Sequence, residues 1–198
     1  DWTDRGTCVL FGDGAGAVVL KGSEVPGGLL AATMRSDGSG GDLLRLPAVY
    51  HNPVPTLGPE YLGNGHKDNT IAMHGRQIFR FASEVVQSSV EEVTKQANLA
   101  LEDIDLIIPH QANGRILEHV AKKLKMPIEK FYSNVEWVGN TSAASIPIAL
   151  SDAADAGRLQ PDDNVIFVGF GGGLTWASVA VKWDVTPPEI STLDREWK

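Results

Sequence analysis

Apolar residues recur at helical spacing from 75 to 97, where Ile78, Phe81, Ala82, Val85, Val86, Val90 and Val93 are separated by Glu, Gln, Lys and Ser. That period predicts an amphipathic helix. Leu106-Ile107-Ile108 is a short apolar run stopped by Pro109, the pattern of a buried strand. A second helix is expected after it, with Ile116, Leu117, Val120, Ala121 and Leu124 on one face. Residues 133–135 are expected to form another strand, followed by a helix of small residues over about 142–154. Pro147 must then sit in that helix's first turn or kink it, because an interior proline loses a backbone hydrogen bond. Gly157 and Pro161-Asp162-Asp163 end the element.

Two stretches read as strand, glycine turn, strand. The first runs from 7–11 through Gly12-Asp13-Gly14-Ala15-Gly16 to 17–20; the second runs from 165–170 through Gly171-Gly172-Gly173 to 176–183. Phe-Gly-X-Gly in both places suggests two related half-folds, the first surviving only as its final strand pair. Residues 36–70 are rich in Gly, Pro, Asn and Asp and read as a surface loop. Strands alternating with helices and closed by a strand pair give an α/β layered architecture.

Composition narrows the function. The 198 residues are 42% hydrophobic and 21% charged, ordinary for a globular chain. No apolar run is long enough for a membrane span, and no secretory signal opens the chain. It begins at Asp1 and enters an apolar stretch within ten residues, as a chain entered partway through a fold would. The single cysteine, Cys8, excludes an internal disulfide and a cysteine-built metal site, and fits a reducing compartment. A formal charge of -8 disfavours a nucleic-acid or anionic-membrane binder. Locally the balance reverses: Arg115, Lys122, Lys123 and Lys125 face only Glu118 over 113–125. This basic helix reads equally as a solvated face or as a docking face for an acidic partner.

Three polar or glycine segments follow apolar strands, where layered α/β folds place their sites. Pro109-His110-Gln111-Ala112-Asn113 taken alone is an ordinary hydrogen-bonded loop. Gly139-Asn140-Thr141-Ser142-Ala143-Ala144-Ser145 alone reads equally well as a helix N-cap. Gly171-Gly172-Gly173 is either a tight hairpin or a place where backbone N–H groups approach a ligand oxygen. The glycines at 12–16 lack the third glycine of a dinucleotide fingerprint and lead into a strand-like run, which excludes that reading.

In order along the chain, His110-Gln111-Ala112-Asn113-Gly114-Arg115, the run from Gly139 through Pro147, and Phe170-Gly171-Gly172-Gly173-Leu174-Thr175-Trp176 closely resemble three segments typical of the beta-ketoacyl-acyl-carrier-protein synthase III family. Asp4-Arg5-Gly6-Thr7 through Ala17 resembles the strand pair that closes the family's first half. The resemblance implies a thiolase-like layered fold, with one complete half (71–184) preceded by the last strand pair of the other half and its connecting loop (1–70), and a tail at 185–198.

It also implies a decarboxylative Claisen condensation, in which an acyl group passes from coenzyme A to a cysteine and malonyl-carrier protein supplies the attacking enolate. His110 and Asn140 match the catalytic His and Asn, and Gly172 matches the glycine whose N–H lines the oxyanion hole. Asn113, Met73 and Gly75 match the cofactor-arm tunnel, and Arg115, with Lys122 and Lys123 on its helix, matches the carrier-protein docking face.

The partners implied are acyl carrier protein, acyl-CoA, an N-terminal half bearing the nucleophilic Cys, and a second copy in a homodimer. The thioester is a substrate, with no permanently bound cofactor and no metal, and the expected location is the cytoplasm or a plastid. Cys8 lies in a strand-like run and is expected to be a small buried hydrophobe, not the nucleophile. Two alternatives stay open: a polyketide starter ketosynthase, and a non-catalytic thiolase-fold partner subunit. The pair of His110 and Asn140 argues against the second.

Overall fold

The computed structural model describes residues 1–22, 28–46 and 70–184. Its main sheet has four strands in the order β1, β6, β5, β4: β1 is Gly28–Ser36, β4 is Leu106–Pro109, β5 is Asn164–Gly171 and β6 is Thr175–Lys182. β4 pairs parallel to β5, whereas the β5/β6 and β1/β6 pairs are antiparallel. Two short strands, β2 (Leu44–Arg45) and β3 (Ala72–Met73), pair separately.

Alternation along the strands sorts the core into two layers. Ile107, Ile166 and Val168 point to one face, against Ala82, Val86, Val90 and Val93 of helix α1 (Gly75–Gln96) and Ile116, Val120 and Leu124 of helix α2 (Gly114–Leu124). Leu106, Ile108 and Val165 point to the other, against Ala149 and Ala153 of helix α4 (Ser145–Asp155). Each fully buried aliphatic side chain contributes about 1.5–3 kcal/mol relative to exposure, so these rows fix the register of helices on sheet. The expected helices at 75–97 and 113–125 form on the expected faces, and Pro147 occupies the third residue of α4, within its first turn.

Four expectations need correction. Residues 7–11 and 17–20 do not form a strand pair: residues 2–10 are mostly turn, and Phe11 makes a single bridge to Asn140. A strand requires a hydrogen-bonded neighbour, and Val18, Val19 and Leu20, 61%, 96% and 91% exposed, have none among the described residues. Cys8 is accordingly half-buried in a turn and not enclosed in a strand.

Residues 133–135 are not a strand either, because the carbonyl of Asn134 accepts from the N–H of Trp137 and of Val138 and so opens a short helix, α3 (Val135–Val138). The parallel bridge in this region falls earlier, between Phe131 and Ile107. The loop expected over 36–70 contains a 3-10 turn at Gly38–Leu43 and strand β2; residues 47–69, like the tail at 185–198, lie outside the described residues. Strand β1 was not expected, and it forms by pairing along β6 from Gly28↔Lys182 to Ser36↔Thr175.

Candidate active site

Parallel strand β4 delivers His110. Its last residue, Pro109, has no N–H to give, and the ladder resumes one residue later with the His110 N–H donating to Val168 O at 2.7 Å. The imidazole is then held on two sides. Nδ1 lies 2.6 Å from Ser145 Oγ, and the Phe170 ring meets the imidazole edge-to-face at 5.0 Å. Desolvation by burial lowers the pKa of His110 to about 4, so the ring is neutral near pH 7.

Gln111 locks the turn that follows. Only 1% exposed, its amide donates to Pro109 O at 2.7 Å and to Tyr132 O at 3.1 Å, while Oε1 accepts from the Asn134 N–H at 3.1 Å. One buried side chain thus joins the end of β4 to the segment that leads to Asn140. Leaving such groups unpartnered costs about 1–3 kcal/mol each.

Asn140 is placed by glycine geometry. Gly139 before it has φ 70 and ψ -166, a region essentially restricted to glycine. The Asn140 N–H donates to Leu10 O at 2.9 Å, and its carbonyl accepts from the Gly12 N–H at 3.0 Å. A Cβ on Gly12 would come within 2.2 Å of Val138 O, and one on Gly16 within 2.5 Å of Pro147. The glycines at 12–16 therefore let the N-terminal segment lie directly against the loop that carries Asn140. The side-chain Oδ1 of Asn140 accepts from the Ser142 N–H at 2.9 Å, which leaves Nδ2 as the side chain's donor group.

His110, Asn140, Asn113, Met73, Gly75 and Gly172 all line one cleft of about 1270 Å³, with Phe81, Phe170 and Trp176 among its apolar walls. Phe81 packs edge-on to both Phe170 and Trp176, at 6.4 and 5.7 Å between centroids. Asn113 also caps α2, its Oδ1 accepting from the Arg115 N–H at 3.0 Å. At Gly172 a Cβ would come within 2.9 Å of Leu44 O, so the glycine turn closes tightly on β2.

Arg115, Lys122 and Lys123 are exposed on α2 outside the cleft, and Cys8 is not among the residues that line it. Among the described residues no group of three or more His, Cys, Asp or Glu side chains could hold a metal ion, and no helix is long and apolar enough to cross a membrane. Sequence reading passed over Ser145 and Gln111 as site residues. Both lie in segments that the sequence singles out, Gln111 as a polar residue immediately after a buried strand and Ser145 at the end of the run that begins at Gly139, but neither position by itself announces its partner.

The arrangement places a neutral imidazole and a side-chain amide on the wall of a largely apolar cleft, groups that can hydrogen-bond an oxygen that gains negative charge. Residues 94–183 match the family model of the 3-oxoacyl-[acyl-carrier-protein] synthase III C-terminal region, and residues 1–38 match that of 3-oxoacyl-[acyl-carrier-protein] synthase III. The beta-ketoacyl-[acyl-carrier-protein] synthase III of Clostridium perfringens is 48% identical over 182 residues, 92% of this chain and 55% of that protein.

Among solved structures, the 3-oxoacyl-(acyl carrier protein) synthase III of Pseudomonas aeruginosa is 40% identical with a TM-score of 0.82, over 95% of this chain and 55% of that one. The priming beta-ketosynthase of a polyketide biosynthetic pathway is 28% identical with a TM-score of 0.77, over 95% of this chain and 54% of its own. The chain spans about 55% of the length of the curated relatives it matches. The thiolase-like fold expected from the resemblance is the fold observed, and the chain belongs to the beta-ketoacyl-acyl-carrier-protein synthase III family.

Proposed function

We propose that this chain supplies the malonyl-decarboxylating wall of a beta-ketoacyl-acyl-carrier-protein synthase III that starts fatty acid synthesis from an acyl-CoA. The observation that carries the reading is the joint presence of neutral His110 and of Asn140, its Oδ1 already engaged by Ser142, on one cleft. In the reaction the bond between the malonyl carboxylate and its α-carbon breaks, CO2 leaves, and the electron pair becomes a thioester enolate. His110 and Asn140 donate hydrogen bonds to the enolate oxygen as its charge develops. The enolate carbon then attacks an acyl thioester on a cysteine supplied from outside this chain, and the thiolate departs.

The remaining assignments follow the same reading. Gly172 supplies an N–H to the acyl-transfer oxyanion, and Met73, Gly75 and Asn113 border the path of the thioester arm, consistent with their places on the cleft. Arg115, Lys122 and Lys123 receive the acidic carrier protein. The thioester is substrate, with no resident cofactor, and two copies of the complete enzyme associate.

In the full-length enzyme, His110→Ala or Asn140→Ala is expected to slow malonyl-carrier-protein decarboxylation by about two to three orders of magnitude, the usual effect of removing an oxyanion donor. Acyl transfer to the cysteine should fall less. Normal decarboxylation in both variants refutes the assignment. A polyketide starter ketosynthase is the second reading, supported by the 28% identical priming ketosynthase. Relative turnover with a fatty-acid and a polyketide carrier protein separates the two.

A further inference from the structure

Among the described residues the hydroxyl of Ser145 is the only side-chain group hydrogen-bonded to His110, and its hydrogen inventory sets a constraint. Ser145 is fully buried at the first residue of α4, 0% exposed. Its Oγ has two partners: His110 Nδ1 at 2.6 Å and, at 3.4 Å, the backbone N–H of Gln111. The second can only donate, so it occupies an acceptor position on Oγ. Among the described residues the single hydroxyl hydrogen therefore has one acceptor, Nδ1. Were Nδ1 protonated instead, two donors would converge on Oγ and the hydroxyl hydrogen would be buried without an acceptor, an arrangement folded proteins avoid.

We infer that Ser145 is a positioning residue that donates to Nδ1 of His110 and thereby fixes the imidazole as the Nε2–H tautomer, with Nε2–H facing the cleft. Nε2 is free to serve there: it makes no hydrogen bond among the described residues and is not among the buried unpartnered polar atoms. Because the ring is neutral near pH 7, it carries one proton, and the choice of nitrogen decides whether the cleft receives a donor or an acceptor. This inference deepens the proposed function and rests on it for its catalytic consequence, since only the Nε2–H form can stabilise an enolate oxygen. Phe170 packs edge-to-face against the ring at 5.0 Å and carries no N or O acceptor, so the tautomer is set by Ser145 and not by this contact.

The test is nitrogen NMR of the full-length protein labelled at histidine, with the His110 resonances assigned by their loss in His110→Gln. The wild type should show a protonated Nε2 and an unprotonated Nδ1. Ser145→Ala should move part of the population to the Nδ1–H form and lower malonyl decarboxylation by about ten- to a hundredfold, less than deletion of the donor itself. Its KM for malonyl-carrier protein should change little. Ser145→Thr, which keeps the hydroxyl, should restore both the tautomer and the rate.

A wild-type spectrum with the proton on Nδ1 overturns the inference, and that outcome does not depend on Ser145→Ala folding. So does a Ser145→Ala protein that keeps both the Nε2–H form and the full rate. If the wild type shows Nε2–H, Ser145→Ala shifts it, and no decarboxylation is found in any form, the tautomer lock stands and the proposed function fails.

Discussion

His110 is the residue whose chemistry is set most completely by its surroundings. Burial lowers its pKa from 6.5 to about 4 by penalising the imidazolium. In the unfolded chain the ring regains its ordinary pKa, so between these values the unfolded state binds more protons. The resulting stability is fully present above 6.5 and is lost as the pH falls toward 4. A shift of this size corresponds to roughly 3 kcal/mol. Urea denaturation between pH 7 and pH 4.5 should show that decline, and His110→Gln should flatten it. A His110 titration midpoint near its ordinary value would contradict the burial argument. The same shift keeps the ring a neutral donor across the pH range in which a cell operates, so decarboxylation should not fall as the pH drops from 7.5 to 6 on account of this residue.

Elements explain how donors from distant parts of the sequence meet. His110 follows directly on a parallel strand, Asn140 precedes α4, and the glycines at 12–16 let the N-terminal segment lie against the loop that carries Asn140 and the start of α4. Helix α2 links the cleft to the surface: Asn113 caps it at the cleft, Ile116 and Val120 bury its inner face, and Arg115, Lys122, Lys123 and Lys125 are exposed outside. On the docking proposal, Arg115→Glu in the full-length enzyme should raise the KM for malonyl-carrier protein about fivefold, equivalent to ~1 kcal/mol for reversing an exposed charge. The effect should shrink as salt screens the surface. Malonyl-CoA, lacking a protein surface, serves as the control. An equal loss with both substrates would point to a damaged cleft entrance, and no loss with either would leave α2 a solvated face.

At the scale of the whole molecule, the cleft bears His110 and Asn140, and several large apolar side chains, among them Val18, Val19, Leu20, Leu29 and Met34, are exposed. The sole cysteine lies off that cleft, in a turn. The 198-residue chain by itself is therefore expected to show no acyl-CoA-dependent condensation, and addition of the segment carrying the nucleophile should restore it. Radiolabelled acyl-CoA and malonyl-carrier protein provide the assay. Turnover by the isolated chain that survives Cys8→Ser would place the nucleophile elsewhere and overturn this division of labour.

What the sequence alone determined were the elements whose own period declares them. Val86, Val90 and Val93 mark α1, Leu106-Ile107-Ile108 marks β4, and Val165 through Phe170 marks β5, because each buries a face that its spacing already defines. The segments around His110 and Asn140 were legible through their resemblance to a family. Tertiary structure alone decided the rest. Strand β1 exists because β6 offers it a ladder, whereas 17–20, equally apolar, has no partner among the described residues and forms no strand. Asn134 turned an expected strand into a helical turn by accepting from Val138, a local bond that side-chain pattern does not encode. The contact between Ser145 and His110 spans 35 positions, and nothing in a run of small residues announces it. Periodicity reports how a segment faces a core; which atoms meet across the sequence is fixed only when the layers pack.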